Sequence, residues 1–286
     1  MLEPGVLTLA ATPIGNPLDA SQRLVRALQE ADVLAAEDTR RLRRLLSELD
    51  VTAAARVISY YEHNESARAA EIVEAVRDGK RVVIVTDAGM PTVSDPGYRA
   101  VRAVIDADLP VTVLPGPSAV LTALAASGLP TDRFAFDGFL PRTEGKLRAA
   151  ARALRDERRT VVLFESPRRT AATLAVLRDE IGPDRPAALA RELTKTHEEV
   201  VRGTLAELAE HADATEVLGE VVLVISGADE VSPRPEDLLD EVLQRAAAGE
   251  RLKDAAKAVA AGRSGISARD LYERALAARQ DGGPTA

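Results

Sequence analysis

Carboxylates stand at the ends of apolar runs at several places in this chain. Glu37 and Asp38 follow Val33–Ala36, Asp87 follows Val82–Val85 and its flanking Thr86, and Glu165 follows Thr160–Phe164. Glu192 and Lys195 sit in the short link after Ala187–Arg191, and Ser118 closes Pro115-Gly116-Pro117 after Val111–Leu114. A short run rich in Val, Ile and Leu reads as a fully buried parallel strand. Open α/β sheets bind ligands at the carboxyl ends of such strands. The densest stretch is Asp87-Ala88-Gly89-Met90-Pro91-Thr92-Val93-Ser94-Asp95-Pro96-Gly97, where eleven residues hold two carboxylates, two glycines and two prolines. A loop that long and that rich in Gly and Pro has a fixed shape of its own, beyond what a strand-to-helix turn requires. Carboxylates hold ribose hydroxyls or an ammonium, and Pro/Gly backbone lines a flat base, so the set suits an adenosine-bearing cationic cosubstrate. The plainer reading of the same loop is a rigid connection with helix-capping aspartates.

Other chemistries find no support. The chain has no cysteine and three scattered histidines, so disulfides, thiolate sites and zinc are not expected, and no metal site is predicted. Thr12–Pro17 lacks the glycine spacing of a dinucleotide fingerprint, and Gly145-Lys146 lacks the preceding glycine of a phosphate loop. Ser118 and Ser166 adjoin prolines, but no paired histidine suggests a triad. A net charge of -8 argues against wholesale coating of nucleic acid and leaves room for local basic surfaces. Two exist in sequence: Arg40, Arg41, Arg43 and Arg44 form one cluster, and residues 142–169 hold nine basic and four acidic side chains. A solvated helix face explains either cluster as well as a phosphate-binding surface does. The amino terminus runs into Val6–Ala10 without a basic leader or long apolar stretch, so a cytosolic protein with no membrane segment is expected.

The elements that would carry these residues alternate. Strands are expected at Val6–Ala11, Val33–Ala36, Arg56–Tyr60, Val82–Val85 and Val111–Leu114, with helices between them, one capped by Ser21 and one ending at Gly79. Short connections and alternation predict a mainly parallel sheet covered on both faces. The rhythm changes after Pro117. Ala187–Arg191 and Glu198–Gly203 read as an antiparallel pair, and Gly219–Ile225 as a last strand. Ser232–Pro235 reads as a linker to three helical patterns, Glu236–Ala248, Leu252–Ala261 and Ser267–Ala278. The boundaries expected are an α/β domain over 1–117, a second over 118–228, and a helical tail over 236–280 that is helix-turn-helix-like or a packed bundle. From Arg245 to Arg274 the tail carries seven basic and four acidic residues, a local positive excess.

The motifs fall in a familiar order. Ala11-Thr12-Pro13-Ile14-Gly15-Asn16, Glu37-Asp38-Thr39-Arg40, Asp87-Ala88-Gly89-Met90-Pro91 with Ser94-Asp95-Pro96-Gly97-Tyr98, and Pro115-Gly116-Pro117-Ser118-Ala119 come first. Ser127-Gly128-Leu129-Pro130-Thr131-Asp132, Gly138-Phe139-Leu140-Pro141, Glu165-Ser166-Pro167 and Arg191-Glu192-Leu193-Thr194-Lys195 follow. Together they resemble the small-subunit ribosomal RNA methyltransferase I family, a branch of the tetrapyrrole (corrin/porphyrin) methylases, from about Val6 to Ile225 and on into the tail. The chain departs from that pattern at Met90, where the family has Thr, and at Arg168, where it has His.

The resemblance implies a class III S-adenosylmethionine (SAM) methyltransferase fold, two α/β domains with SAM between them plus the small C-terminal helical module, and a homodimer. It implies 2'-O-methylation of a cytidine in the decoding region of 16S rRNA within the small ribosomal subunit. Pro13, Asp87, Ala88, Gly89, Met90, Ser118 and Ala119 are then the expected SAM contacts. Arg40, Arg41, Arg44, Arg168, Arg169 and Arg191 are the expected RNA contacts. A ribose hydroxyl must lose its proton as it attacks. Lys195, neutral in a desolvated setting and partnered by Glu165, is the expected base, with the carboxylates Glu37, Glu165 and Glu192 as the other candidates. A tetrapyrrole-precursor methylase and a non-enzymatic nucleic-acid binder are the rival readings.

Overall fold

In the computed structural model, which describes residues 2–61, 63–229, 238–261 and 266–281, the apolar runs of the first half become five parallel strands. β1 (Leu7–Ala10), β2 (Val33–Ala36), β3 (Arg56–Ser59), β4 (Val82–Val85) and β5 (Val111–Leu114) lie in the order β3-β2-β4-β1-β5. Every residue of β1, β2 and β4 is buried, while the edge strands β3 and β5 expose part of theirs. Helices on both faces explain this. Leu24 and Leu28 of α1 (Gln22–Glu30) and Leu42 of α2 (Thr39–Glu48) pack on the face bearing Ala10, Leu34 and Val83. Ile72 and Val76 of α3 (Glu65–Arg77), with Ala100 and Val104 of α4 (Tyr98–Asp106), pack on the face bearing Leu9, Ala35 and Ile84. Burial of that kind is worth about 1.5–3 kcal/mol for each large apolar side chain. The expected cap is present: Ser21 Oγ accepts the Leu24 N–H at 3.0 Å.

After α5 (Ala119–Ser127), a second sheet forms from β6 (Phe134–Phe139), β7 (Thr160–Glu165), β8 (Pro186–Arg191), β9 (Glu199–Thr204) and β10 (Val221–Ile225), in the order β6-β7-β10-β8-β9. β6 and β7 are parallel, and β10 runs antiparallel to both β7 and β8. The antiparallel pairing expected for the strands flanking 192–198 is found, with Arg191 opposite Glu199. One face carries α6 (Glu144–Ala153), α7 (Thr170–Ile181) and α8 (Leu205–Ala214). Helix α8 shows an apolar stripe at Leu205, Leu208, Ala209 and Ala212, whereas α7 buries Thr173, Leu174, Val176, Leu177 and Glu180, so its polar and apolar residues go inside together. The opposite face of the sheet packs Val162, Ala188, Val222 and Val224 against Val120 and Leu124 of α5, and also against Ile14, which belongs to the loop after β1. That contact sets the cleft between the sheets.

The chain divides into two units, 1–228 and 229–286. Within the second, α9 (Leu239–Ala247), α10 (Leu252–Ala260) and α11 (Ala268–Asp281) bury Val242, Ala255, Ala256, Val259, Leu271 and Ala275 among themselves. The Ser232–Pro235 linker, Glu236, and the glycines at 262 and 265 lie outside the described residues. No helix among the described residues is long and apolar enough to cross a membrane.

Candidate active site

The parallel arrangement brings the loops after β1, β2, β4 and β5 to one edge of the first sheet. Two of them are stitched together, since Thr12 N–H donates to Gly89 O at 2.9 Å and Gly89 N–H to Thr12 O at 3.1 Å. Two residues of the loop over 91–97, Thr92 and Ser94, have φ of +77° and +62°. Two more non-glycine residues of this kind, Glu192 and Thr194 (+50° and +65°), belong to the link between β8 and β9. Strain of this sort concentrates where surrounding structure imposes it for function. Buried Glu65 ties down the end of the 91–97 loop. Its Oε1 accepts the Gly97 N–H at 2.6 Å and the Tyr60 hydroxyl at 3.0 Å, and the Tyr60 oxygen accepts the Ala100 N–H at 3.2 Å. Helix α4 has no cap from its own sequence, and these two side chains supply one from across the sheet face.

The two sheets meet closely at Gly15. A Cβ there would stand 2.7 Å from Thr194 Oγ1 and 2.8 Å from Leu193 O, and the Asn16 N–H donates to Thr194 Oγ1 at 3.1 Å. On the second sheet, Gly219 (φ +84°) lies against the Glu192 carboxylate, where any side chain would collide.

Between the sheets lies a cavity of about 400 Å³, walled by Ile14, Val120, Phe139, Phe164 and Val222 and lined by the carboxylates Glu37, Asp87, Asp95, Glu165 and Glu220. A second of about 330 Å³ adjoins it, between Thr12–Gly15, Pro17 and the start of α2, with Lys195 and Glu220 on its far side. Three carboxylates here are pushed toward protonation. Burial raises Glu37, and the neighbouring Asp87 charge adds to the rise. Burial also raises Asp87, with the Arg41 guanidinium (Nε to Oδ2, 3.3 Å) acting against it. Asp95 is raised to about 7, by burial first and then by Glu37, Asp87 and Glu220. Beneath it Thr86 Oγ1 is buried and makes no fully formed hydrogen bond, although it stands near enough to Asp95 to oppose the rise slightly.

The predicted site residues do not all meet. Asp87, Ala88, Gly89, Met90, Ser118 and Ala119 line the first cavity together, and Pro13 lines the second. The expected pairing of Lys195 with Glu165 is corrected: Lys195 Nζ donates instead to Glu192 Oε1 at 2.7 Å and Glu220 Oε2 at 3.1 Å. Burial alone would lower this lysine, but those two carboxylates outweigh it and hold the ammonium above its ordinary value, the opposite of a neutral base. Glu165 has both oxygens engaged, accepting from Thr173 Oγ1 at 2.6 Å and from the Ser166 N–H at 2.7 Å.

Among the expected RNA contacts, Arg40 is paired with Asp38, Arg44 with Glu48, and Arg191 with Glu199. Arg169 turns inward to the carbonyls of Leu140 and Pro141 and to Glu165, so it holds a loop in place and offers little to a phosphate. Arg168 is exposed with no ion pair among the described residues. Glu220 escaped sequence reasoning because it precedes its strand; β10 runs antiparallel to β7 and β8, so its start lies beside their ends. Gly219-Glu220 before an apolar run was the available signal. Among the described residues no cluster of His, Cys, Asp and Glu could hold a metal ion.

A family model for tetrapyrrole (corrin/porphyrin) methylases matches residues 6–209. A protein of Mycobacterium bovis named ribosomal RNA small subunit methyltransferase I is 51% identical over 98% of each chain. The chain belongs to the ribosomal RNA small subunit methyltransferase I branch of the tetrapyrrole methylases. A like-named protein of Micromonospora olivasterospora is 41% identical over 98% of this chain and 89% of its own. Among solved structures, uroporphyrin-III C-methyltransferase from Thermus thermophilus, complexed with S-adenosylhomocysteine, superposes with a TM-score of 0.53 at 25% identity, over 77% of this chain and 96% of its own. The two-sheet α/β architecture is that of the class III SAM methyltransferases, as the resemblance implied.

Proposed function

We propose that this tetrapyrrole-methylase-family member transfers a methyl group from SAM to the ribose 2'-hydroxyl of a cytidine in the decoding region of 16S rRNA. The observation that carries the substrate class is sequence identity. Relatives named for small-subunit rRNA share 51% and 41% of their residues with this chain over 98% of it, whereas the tetrapyrrole methylase complexed with S-adenosylhomocysteine shares 25% over 77%. In this reading residues 1–117 and 118–228 act as two domains around the donor, and 236–280 docks the ribosomal particle. The protein works in the cytoplasm as a homodimer; exposed Val113 on edge strand β5 and Leu121 on α5 are apolar surface suited to a second copy.

The first cavity has the chemistry a sulfonium donor calls for. Asp95 is a desolvated carboxylate with no ion pair among the described residues, Asp87 is a desolvated carboxylate held by Arg41 and the Asp38 N–H, the Thr86 hydroxyl lies unsatisfied nearby, and Gly89 at φ +83° lets backbone approach closely. When bound there, SAM supplies an electrophilic methyl group on a positively charged sulfur. Glu37 lines both cavities, and burial pushes its carboxyl above the ordinary value, which suits it to accept a proton. In this role a Glu37 carboxylate oxygen takes the 2'-hydroxyl proton as the oxygen attacks. Lys195, protonated between Glu192 and Glu220, contributes charge and position, and Glu165 braces the β7 end of the cavity through Thr173 and Arg169. Arg40, Arg41, Arg44 and Arg168 face the RNA.

Incubation with labelled SAM and, in turn, small subunits, free rRNA and a tetrapyrrole tests this. Label in small subunits, at a ribose, is the expected result. Label in the tetrapyrrole alone, or in none of the three, overturns it.

A further inference from the structure

The loop over 91–97 supplies Val93, Ser94 and Asp95 to the first cavity, so its position decides the shape of that cavity. Its own chain gives it little hold. Pro91 and Pro96 carry no N–H. Among the described residues the loop's own backbone bonds are Thr92 N–H to Pro96 O at 3.4 Å and Val93 N–H to Met90 O at 3.3 Å, both longer than usual. We propose that Glu65 and Tyr60 are positioning residues for the methyl donor: by holding Gly97 and the first turn of α4, they set where Ser94 and Asp95 stand in the donor cavity. This rests on the reading above that puts SAM in the first cavity.

The hold comes from outside the loop. Tyr60 follows β3 and Glu65 opens α3; both are buried, and neither lines the cavity. A single oxygen, Glu65 Oε1, accepts the Gly97 N–H at 2.6 Å and the Tyr60 hydroxyl at 3.0 Å. Burial and the Glu65 charge push the Tyr60 phenol above its ordinary value, so it keeps its proton and donates to that carboxylate. The Tyr60 oxygen in turn accepts the Ala100 N–H at 3.2 Å, which fixes the first turn of α4 behind the loop. Arg99 Nε stands 3.5 Å from Glu65 Oε2 on an exposed side chain and adds little. Only Pro96, whose ring fixes φ, separates Gly97 from Asp95, so a shift at Gly97 passes to the Asp95 carboxylate. The two ends of the loop also touch, since a Cβ on Gly97 would stand 2.9 Å from Thr92 Cγ2. Its middle reaches the second sheet, where a Cβ on Gly138 would stand 3.5 Å from Ser94 Oγ. Losing a buried acceptor of two donors leaves both unsatisfied, and the loop has no other firm bond to fall back on.

Calorimetry of the full chain with S-adenosylhomocysteine tests this, together with methyl-transfer rates on small subunits at varied SAM. Glu65→Ala should weaken the affinity by about tenfold or more, and Tyr60→Phe, which keeps the buried ring, by about threefold or more. Glu65→Gln offers a carbonyl oxygen in the place of Oε1 and should stay within about twofold of the wild type. In the rate measurements KM for SAM should rise by the factor lost in affinity, while kcat stays within about threefold, because the loop holds the donor and takes no proton. A role in stability alone would lower the urea midpoint and leave donor affinity within about twofold. That result in Tyr60→Phe, or in a folded Glu65→Ala, overturns the inference. Glu65→Gln as weak as Glu65→Ala overturns it too, since the acceptor oxygen would then not be the cause. A wild-type protein that binds S-adenosylhomocysteine no better than these variants overturns this inference alone. One that binds none overturns the donor reading and this with it.

Discussion

The two sides of the cleft treat their charged residues differently. On the first sheet, Glu37, Asp87 and Asp95 are half-buried carboxylates whose environment pushes them toward protonation, with Arg41 as the one cation in contact with Asp87. On the second, charged groups are already matched: Glu165 with Thr173 and Arg169, Lys195 with Glu192 and Glu220, and Arg191 with Glu199. A buried carboxylate whose lone pairs are filled holds structure together, and one left short of partners is available to a ligand. The lesson is that a similar count of charges on two walls can mean reactivity on one and bracing on the other.

The sharpest test of that contrast compares one residue from each wall. Glu37→Gln should slow single-turnover methyl transfer by about 100-fold or more, the usual worth of a general base, whereas Lys195→Met should change it by less than about tenfold. A lysine variant as slow as the glutamine one would erase the distinction. A second comparison reads stability. Glu165→Ala leaves the Thr173 hydroxyl and the Arg169 guanidinium without their buried acceptor and should cost about 2–4 kcal/mol in urea unfolding, while Asp87→Asn should cost under about 1 kcal/mol. Equal losses would place both carboxylates in one class.

A third comparison concerns pH. Asp95 titrates near 7 in the folded chain against an ordinary 3.8. Across that window the unfolded chain has released the proton that the folded chain keeps, so the unfolded state binds fewer protons and stability falls as pH rises. The destabilisation is absent below the ordinary value and complete above about 7. Asp95→Asn should flatten the difference between urea midpoints at about pH 5 and about pH 8, leaving the variant relatively more stable at the higher pH. An unchanged slope would mean that Asp95 is solvated and belongs with the ordinary surface acids.

Much of this site was legible beforehand because the first sheet is parallel. Each strand there ends at the same edge, so Glu37, Asp87 and Ser118 could be grouped from the order of apolar runs alone. The Lys195–Glu165 pairing failed for the complementary reason. Both residues lie at strand ends of the second sheet, but β10 is inserted antiparallel between β7 and β8, and its leading Glu220 takes the lysine. Arg169 looked like a free cation in a basic run, and only the position of the 140–141 carbonyls shows why it turns inward.

The sequence by itself determined the strands of the first half, the Ser21 cap, the 87–97 loop as the centre of the site, and the family. These depend on local periodicity, on turn residues and on motif order, all of which are written along the chain. Tertiary structure alone decided which charges are left over. Whether a carboxylate is satisfied depends on partners such as Thr173 for Glu165, Glu220 for Lys195, and Gly97 and Tyr60 for Glu65, and most of these are brought near by packing across sheets and helices. Desolvation is likewise a property of the enclosed cleft, which no stretch of residues carries on its own.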